Sequence, residues 1–315
     1  MSKKNLNKVQ KAAVEAFGKP VLIFAGAGSG KTRVLTHKIA HLIQKNLIPA
    51  ENILAVTFTN KAAQEMKERV IKLVPGKESI LNIGTFHSIC ARILRKEIHN
   101  LGYTPDFSIF DVQDQKSLVK VVIESMDIPK NYVTPQEVRH KISYFKNKLI
   151  NPIEAKKKAH LVLEKTYADI YDKYQKALIK NNAVDFDDLL ILPLTIFEKH
   201  PKILEKYREK WQYILVDEYQ DTNKPQFMFV KYLADGHHQI CVVGDDDQSI
   251  YGWRGADIRN ILDFEKNFGN CEVFKLEKNY RSTAHILEAA SSVVKNNKNR
   301  APKELIPHNG AGEKL

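Results

Sequence analysis

Cysteine is scarce in this chain: Cys90, Cys241 and Cys271 are the only three among 315 residues. They are odd in number, far apart and set among apolar neighbours, which argues against a disulfide framework or a zinc site. Buried thiols in a reducing compartment are the expectation. Long hydrophobic runs are also missing, since no apolar stretch approaches the ~18 residues that span a bilayer. The opening Met1-Ser2-Lys3-Lys4-Asn5-Leu6-Asn7 lacks the apolar core of a secretory signal. Internal repeats and low-complexity tracts are absent. These absences lead to the expectation of a soluble, cytoplasmic protein with no membrane partner.

What is present is a globular composition. Hydrophobic residues make up 43% and charged residues 27%, enough for a packed core and too little charge imbalance for bulk disorder. The length allows one large α/β domain and a second unit. Lys and Arg number 49 against 37 Asp and Glu, a formal net charge of +12. Such an excess favours a polyanionic partner through counterion release. Charge alone separates neither DNA from RNA nor either of them from an acidic membrane or a merely basic surface.

Over residues 20–100 short β-branched runs alternate with amphipathic stretches. Val21-Leu22-Ile23-Phe24 reads as a buried strand, followed by a glycine-rich turn and a helix over Lys31 to Gln44. Ile53 to Phe58 is a second strand, with Asn60 placed to cap a helix over Lys61 to Leu73. Ile80 to Thr85 is a third strand. Near-continuous apolar strands alternating with helices predict a parallel sheet covered on both faces, hence an α/β fold. Residues 100–205 break that rhythm with Lys-rich helical text punctuated at Pro105, Pro129, Pro135 and Pro152. Strands resume at Tyr213 to Val216, Ile240 to Val243 and Val273 to Leu276, before a helix over about Thr283 to Lys295. The expected organisation is a sheet domain in two parts (1–90 and 206–285) around an inserted, mainly helical subdomain (91–205). Residues 286–315 are expected to begin a linker or a further domain, and Gly310-Ala311-Gly312-Glu313-Lys314-Leu315 has the look of a cut linker.

The strongest chemical signal is Ala25-Gly26-Ala27-Gly28-Ser29-Gly30-Lys31-Thr32, between a strand and a helix. Small residues let backbone N–H groups curl around a triphosphate, and the helix N-terminus adds a favourable dipole. Lys31 is suited to reach the β- and γ-phosphates and Thr32 to ligate Mg²⁺. The usual pattern has Gly where Ala25 stands. A P-loop needs an acidic partner on a neighbouring strand, which Tyr213-Ile214-Leu215-Val216-Asp217-Glu218 supplies. Asp217 is suited to hold Mg²⁺ through water and Glu218 to act as general base. The two motifs together lead to the expectation of nucleoside triphosphate hydrolysis.

With those motifs in place, the text resembles the UvrD/Rep/PcrA group of superfamily 1 DNA helicases over essentially the whole chain. Leu6-Asn7-Lys8-Val9-Gln10 looks like the group's adenine-selecting motif. Val56-Thr57-Phe58-Thr59-Asn60-Lys61-Ala62-Ala63 and Gly84-Thr85-Phe86-His87-Ser88 look like its first single-strand-binding motifs. Asp185-Phe186-Asp187-Asp188-Leu189 is similar to its acidic signature, and Asp217-Glu218-Tyr219-Gln220-Asp221-Thr222 to its extended acidic motif. Val243 to Ala256, containing Gly244-Asp245-Asp246-Asp247-Gln248 and Tyr251-Gly252-Trp253-Arg254, and Asn279-Tyr280-Arg281-Ser282 complete the set.

The resemblance implies a RecA-like P-loop NTPase fold, ATP and Mg²⁺ as cofactors, and single-stranded DNA and duplex junctions as partners, with 3′ to 5′ tracking. It implies a nucleotide site of Gln10, Ala27, Gly28, Ser29, Gly30, Lys31, Thr32, Arg33 and Tyr280, with Tyr280 and Arg33 sandwiching adenine. Gln248 and Arg281 would contact the γ-phosphate, beside Lys31, Asp217 and Glu218, and Thr32 with Asp217 would hold the metal. Phe58, Tyr251 and Trp253 are implied to stack on bases, with polar contacts from Thr57, Asn60, Thr85, His87 and Arg254. An exposed-looking Tyr-Gly-Trp-Arg cluster independently suits a base platform, although packing of a hinge is the alternative. His87 reads equally as a structural histidine. Seven basic residues over Arg139 to Lys158 (Arg139, Lys141, Lys146, Lys148, Lys156, Lys157 and Lys158) against Glu154 alone form a phosphate track or a solvated face. Asp185, Asp187 and Asp188 read as a structural carboxylate cluster rather than a second metal site.

Members of the group continue into a second RecA-like domain with a further DNA motif and a second arginine sensor, which this text lacks. By itself the chain is therefore expected to bind ATP weakly, to hydrolyse it slowly and not to unwind duplex. The alternative is a single-domain ATP-binding or DNA-binding regulatory module without unwinding activity. A helicase–nuclease motor and a metabolic P-loop kinase fit the motifs less well.

Overall fold

The computed structural model describes residues 6–129, 132–298 and 300–314. Its strands are β1 (Val21–Ala25), β2 (Ile53–Thr57), β3 (Asn82–Thr85), β4 (Ser108–Phe110), β5 (Ala183–Asp185), β6 (Tyr213–Val216), β7 (Ile240–Gly244) and β8 (Glu272–Leu276), with the two-residue β9 (Lys278–Asn279) and β10 (Ile306–Pro307). The described residues fall into two compact units. The first comprises those up to Phe86, Glu205–Thr222 and those from Val230 onward; the second comprises His87–Leu204 and Asn223–Phe229.

The first unit is built on a six-stranded sheet in the order β3-β2-β6-β7-β1-β8. Every pairing in it is parallel. All residues of β1, β2, β6 and β7 are buried, as expected of parallel strands covered on both faces. On one face Val21, Ile23, Ala55, Leu215 and Val243 share a core with Val34, Leu35 and Ile39 of helix Lys31–Gln44 and with Met66 and Val70 of helix Asn60–Leu73. Because the strands run in one direction, the loops that leave them gather along a single edge, where ligands of open α/β sheets bind.

Some expectations need correction. The second helix is capped by Thr59, whose hydroxyl accepts the Ala62 N–H at 3.1 Å; Asn60 is already the first helical residue. The segment Gly310–Ala311 is no loose linker, since its carbonyls accept the Ala284 and His285 N–H groups at 3.1 and 3.2 Å at the start of helix Ala284–Val294. Leu315, the last residue of that polar stretch, lies outside the described residues.

The second unit is mainly helical, with helices Val112–Glu124, Pro135–Asn147, Pro152–Lys158, Val162–Lys180 and Phe186–Lys199. Pro135 and Pro152 stand at the first helical turn, behind the caps Thr134 and Asn151. A short parallel pair, β4 with β5, lies among the helices where none was foreseen. Asn223–Phe229, read in the sequence within the returning sheet domain, packs here: the Asn223 side chain donates to Asn147 at 2.8 Å, and Phe229 stacks on Phe197 with ring centroids 6.3 Å apart.

The acidic signature is structural. Asp185 caps helix Phe186–Lys199 in a reciprocal pair with Asp188, and the buried Lys146 ammonium lies 2.6 Å from Asp185 and 2.7 Å from Asp188. Lys146, with 1% side-chain exposure, therefore belongs to no phosphate track. Lys156 is likewise engaged, by Asp169 and Asp172 at 3.1 and 2.9 Å.

Candidate active site

At the end of β1 the chain turns through Gly28 and Gly30, with φ of +70° and +92°, a left-handed backbone that side chains disfavour. Gly30 caps helix Lys31–Gln44 without a side chain, so the N-terminal N–H groups remain available to a ligand. Ser29 is buried, and its hydroxyl donates to the Gly26 carbonyl at 2.7 Å, closing the loop on itself. A cleft of about 480 Å³ opens over this turn, lined by Ala27, Gly28, Gly30, Lys31, Thr32, Arg33, Glu65, Arg69, Glu218, Gln248, Tyr280 and Arg281.

The acidic partner arrives from β6, two strands away from β1. The Lys31 ammonium and the Glu218 carboxylate form an ion pair at 2.8 Å. Glu218 sits at φ +50°, a strained left-handed conformation for a residue with a side chain. Asp217 is 5% exposed and accepts the Glu218 N–H at 3.0 Å. Burial, followed by the charge of Glu218, pushes its carboxyl up to about 6, against the pull of Lys31. Asp221 is pushed up to about 6 by the same two causes.

Of the residues singled out in the sequence, Ala27, Gly28, Gly30, Lys31, Thr32, Arg33, Glu218, Gln248, Tyr280 and Arg281 meet in this cleft. Gln10, Ser29 and Asp217 stand behind its wall. Gln10 is 1% exposed; its amide donates to the Ser29 carbonyl at 2.9 Å and accepts the Asn7 N–H at 3.0 Å. Asn7, the cap of helix Lys8–Glu15, in turn donates to the Tyr280 hydroxyl at 2.9 Å, so this helix start is tied to both the P-loop and Tyr280.

Two amides that carried no role in the sequence reading organise the site. The Gln220 side chain donates to Glu218 at 3.0 Å and to Asp221 at 3.1 Å, and accepts the Asp245 N–H at 2.9 Å, tying the end of β6 to the end of β7. Asn279 donates to the Ala27 carbonyl at 2.6 Å and accepts the Arg281 and Ser282 N–H groups at 2.8 and 2.7 Å. Both lie inside motifs the sequence displays, but an amide's partners are set by three-dimensional neighbours and leave no trace in spacing.

The residues expected to touch DNA divide between the units. In the first, Thr57 and Thr85 are buried at the ends of β2 and β3, Asn60 is exposed, and Phe58 lies edge-on to Phe86 at 5.9 Å. Beyond β7, Trp253 is 76% exposed and the Arg254 guanidinium lies 4.6 Å from its ring and 5.1 Å from that of Tyr251. A tryptophan that open to solvent serves no core. His87 belongs to the second unit, tilted on Phe186 at 5.8 Å, with burial lowering its proton affinity. Among the described residues no helix is long and apolar enough to cross a membrane.

The sequence profile of the UvrD/REP helicase N-terminal domain matches residues 6–269. The ATP-dependent DNA helicase PcrA of Bacillus subtilis is 50% identical over 311 residues, covering 98% of this chain and 42% of its own length. The protein of the same name in Staphylococcus aureus strain Mu50 is 50% identical, and that of Staphylococcus epidermidis 49%, each over 99% of this chain and 43% of its own length. The chain thus spans less than half the length of these curated relatives.

Proposed function

Because the chain belongs to the UvrD/REP helicase family, we propose that it forms the ATP-hydrolysing part of a DNA helicase motor. The observation that carries this reading is the cleft itself, where a P-loop lysine is held at 2.8 Å by the carboxylate that follows β6, a strand of the same sheet separated from β1 by β7. An ammonium, an open helix N-terminus, an exposed arginine and a carboxylate around one glycine-rich turn suit phosphoryl chemistry.

In this reading the triphosphate takes the place of Glu218 as partner of Lys31. That exchange frees the Glu218 carboxylate to accept a proton from the water that attacks the γ-phosphorus as its bond to the β–γ bridging oxygen breaks and ADP leaves. Arg281 and the helix N-terminus stabilise the charge that gathers on the transferred phosphoryl group, and Gln248 senses its departure. Tyr280 and Arg33 flank the cleft as an aromatic and a planar cation suited to grip a base.

The buried Asp217, whose proton affinity is raised beside a like charge, fits a site for a divalent cation, as does the Thr32 hydroxyl in the cleft. These are hard oxygen donors of the kind Mg²⁺ prefers, and bound Mg²⁺ would neutralise charge on the β- and γ-phosphates. Phe58, Tyr251, Trp253 and Arg254, with Thr57, Asn60 and Thr85, are proposed to contact single-stranded DNA, and so, within the second unit, is His87. Movement along the strand would run 3′ to 5′, as the family resemblance implies.

The test is ATP turnover by the full-length protein with and without single-stranded DNA, beside Lys31→Ala and Glu218→Gln. DNA-stimulated turnover lost in both variants supports the reading. Brisk turnover indifferent to DNA and to Glu218→Gln overturns it.

A further inference from the structure

Three successive carboxylates, Asp245, Asp246 and Asp247, leave the end of β7 with their oxygens within 4.8 Å of one another. Such a cluster invites a cation, and here it holds a side chain from more than fifty residues away. The Lys303 ammonium pairs with Asp245 at 3.0 Å, with Asp247 at 2.7 Å and, most closely, with Asp246. It is 4% exposed, and Asp246 is wholly buried. Arg300 adds a two-pronged pair to Asp247 at 3.0 and 2.9 Å, and the Ala301 N–H donates to Asp246 at 2.6 Å.

The remaining oxygen of Asp245 accepts a hydrogen bond from the Gln248 side chain, and Gln248 lines the nucleotide cleft. The segment that carries Lys303 is fixed at further points. The Ile306 and His308 N–H groups donate to the carbonyls of Glu277 and Asn279 at 2.8 and 2.9 Å. Leu305 fills the space where a side chain on Gly26 would stand. One short segment therefore touches the P-loop, the Asn279 staple and the acidic turn that holds Gln248.

We propose that Lys303 is a positioning residue for Gln248: by neutralising Asp245 within the carboxylate triplet, it holds the Gln248 amide toward the cleft. Without the ammonium, repulsion among the three carboxylates drives Asp245 outward, and the amide loses its anchor. The proposal rests on the reading of the cleft as a nucleotide site.

The experiment compares the full-length protein with Lys303→Met, Lys303→Arg, Gln248→Ala and the Lys303→Met/Gln248→Ala pair. Steady-state ATP turnover is measured alongside backbone hydrogen exchange without nucleotide. Lys303→Met is expected to lower kcat roughly tenfold with KM for ATP changed less than about twofold, and Lys303→Arg to keep most of the activity. In the Gln248→Ala background the same change adds nothing, because the residue it acts through is gone. Exchange rises in peptides over 245–252 and 300–308 and stays unchanged over β1 and β2. Should Lys303→Met melt below the assay temperature, Lys303→Gln replaces it. Losses that multiply with Gln248→Ala, or wild-type kcat in Lys303→Met, overturn the proposal. If the wild type shows no turnover, or turnover that ignores Lys31→Ala, the nucleotide reading has failed. Exchange over 245–252 then decides alone: faster in Lys303→Met it upholds the anchoring, and unchanged it refutes it.

Discussion

Two carboxylates on adjacent residues have opposite solvation and therefore divergent chemistry. Glu218 has 37% of its side chain exposed and balances Lys31, whereas Asp217 is buried and its carboxyl is pushed up to about 6 by burial and by Glu218. General-base catalysis is worth about 10²–10⁴-fold, so Glu218→Gln should lower kcat by that factor while ATP still binds, read by turnover and by nucleotide titration. Asp217 should reveal itself through stability instead. Its ordinary value is 3.8 and its folded value about 6, so between those pH values the folded protein binds the proton that the unfolded chain has released. Stability from this group therefore falls as pH rises from about 4 to about 6 and stays low above, a linkage of roughly 2–3 kcal/mol for a shift of that size. Asp217→Asn removes the penalty. The nucleotide-free variant should melt a few degrees higher than wild type at pH 8, with the gap closing below pH 4. A variant that melts lower at pH 8 would show that hydrogen bonds of the carboxylate outweigh its burial.

Elements differ in how much of them the sequence reveals. The strand Tyr213–Val216 and the helix Lys31–Gln44 match the expected bounds because apolar burial and a glycine turn mark them locally. That the P-loop residues line one cleft was legible for the same reason, since small residues between a strand and a helix mark the turn locally. The three-residue strands β4 and β5 were not, because so few residues carry no period and their pairing depends on a partner far along the chain. Lys146 misled for a related reason. Within a basic run it looked solvated, and Asp185 and Asp188, far along the chain, explain its burial. That network leads to a prediction at the scale of the helical unit. Lys146→Met leaves Asp185 and Asp188 buried without a counter-charge, which should cost about 3–5 kcal/mol in urea unfolding followed by circular dichroism. Adding Asp185→Asn and Asp188→Asn should recover part of the loss. A Lys146→Met protein as stable as wild type would mean that the carboxylates take up protons at little cost.

Over the whole molecule the excess of basic side chains, +12 in formal charge, and the exposed aromatic platform should act on DNA in separable ways. Phosphate contacts release counterions, so their contribution falls steeply with salt; stacking on Trp253 releases none. Inside the fold Lys146 is paired with Asp185 and Asp188, and Lys303 and Arg300 with Asp245 to Asp247, three bases against five acids, so the basic excess is carried by the other side chains. The lysines that remain at the surface, among them Lys148, Lys157 and Lys158, are the ones whose charge reaches solvent. Fluorescence anisotropy with a labelled single strand should therefore show affinity dropping by at least about tenfold between 50 and 200 mM salt. Trp253→Ala should weaken binding by about 1–3 kcal/mol at every salt concentration, leaving the slope of log affinity against log salt unaltered. Lys157→Ala with Lys158→Ala poses the complementary question: a shallower slope puts the helical unit's basic run on the DNA, and an unchanged slope leaves it a solvated face. If Trp253→Ala flattens the slope instead, the platform acts by orienting Arg254 against a phosphate rather than by holding a base.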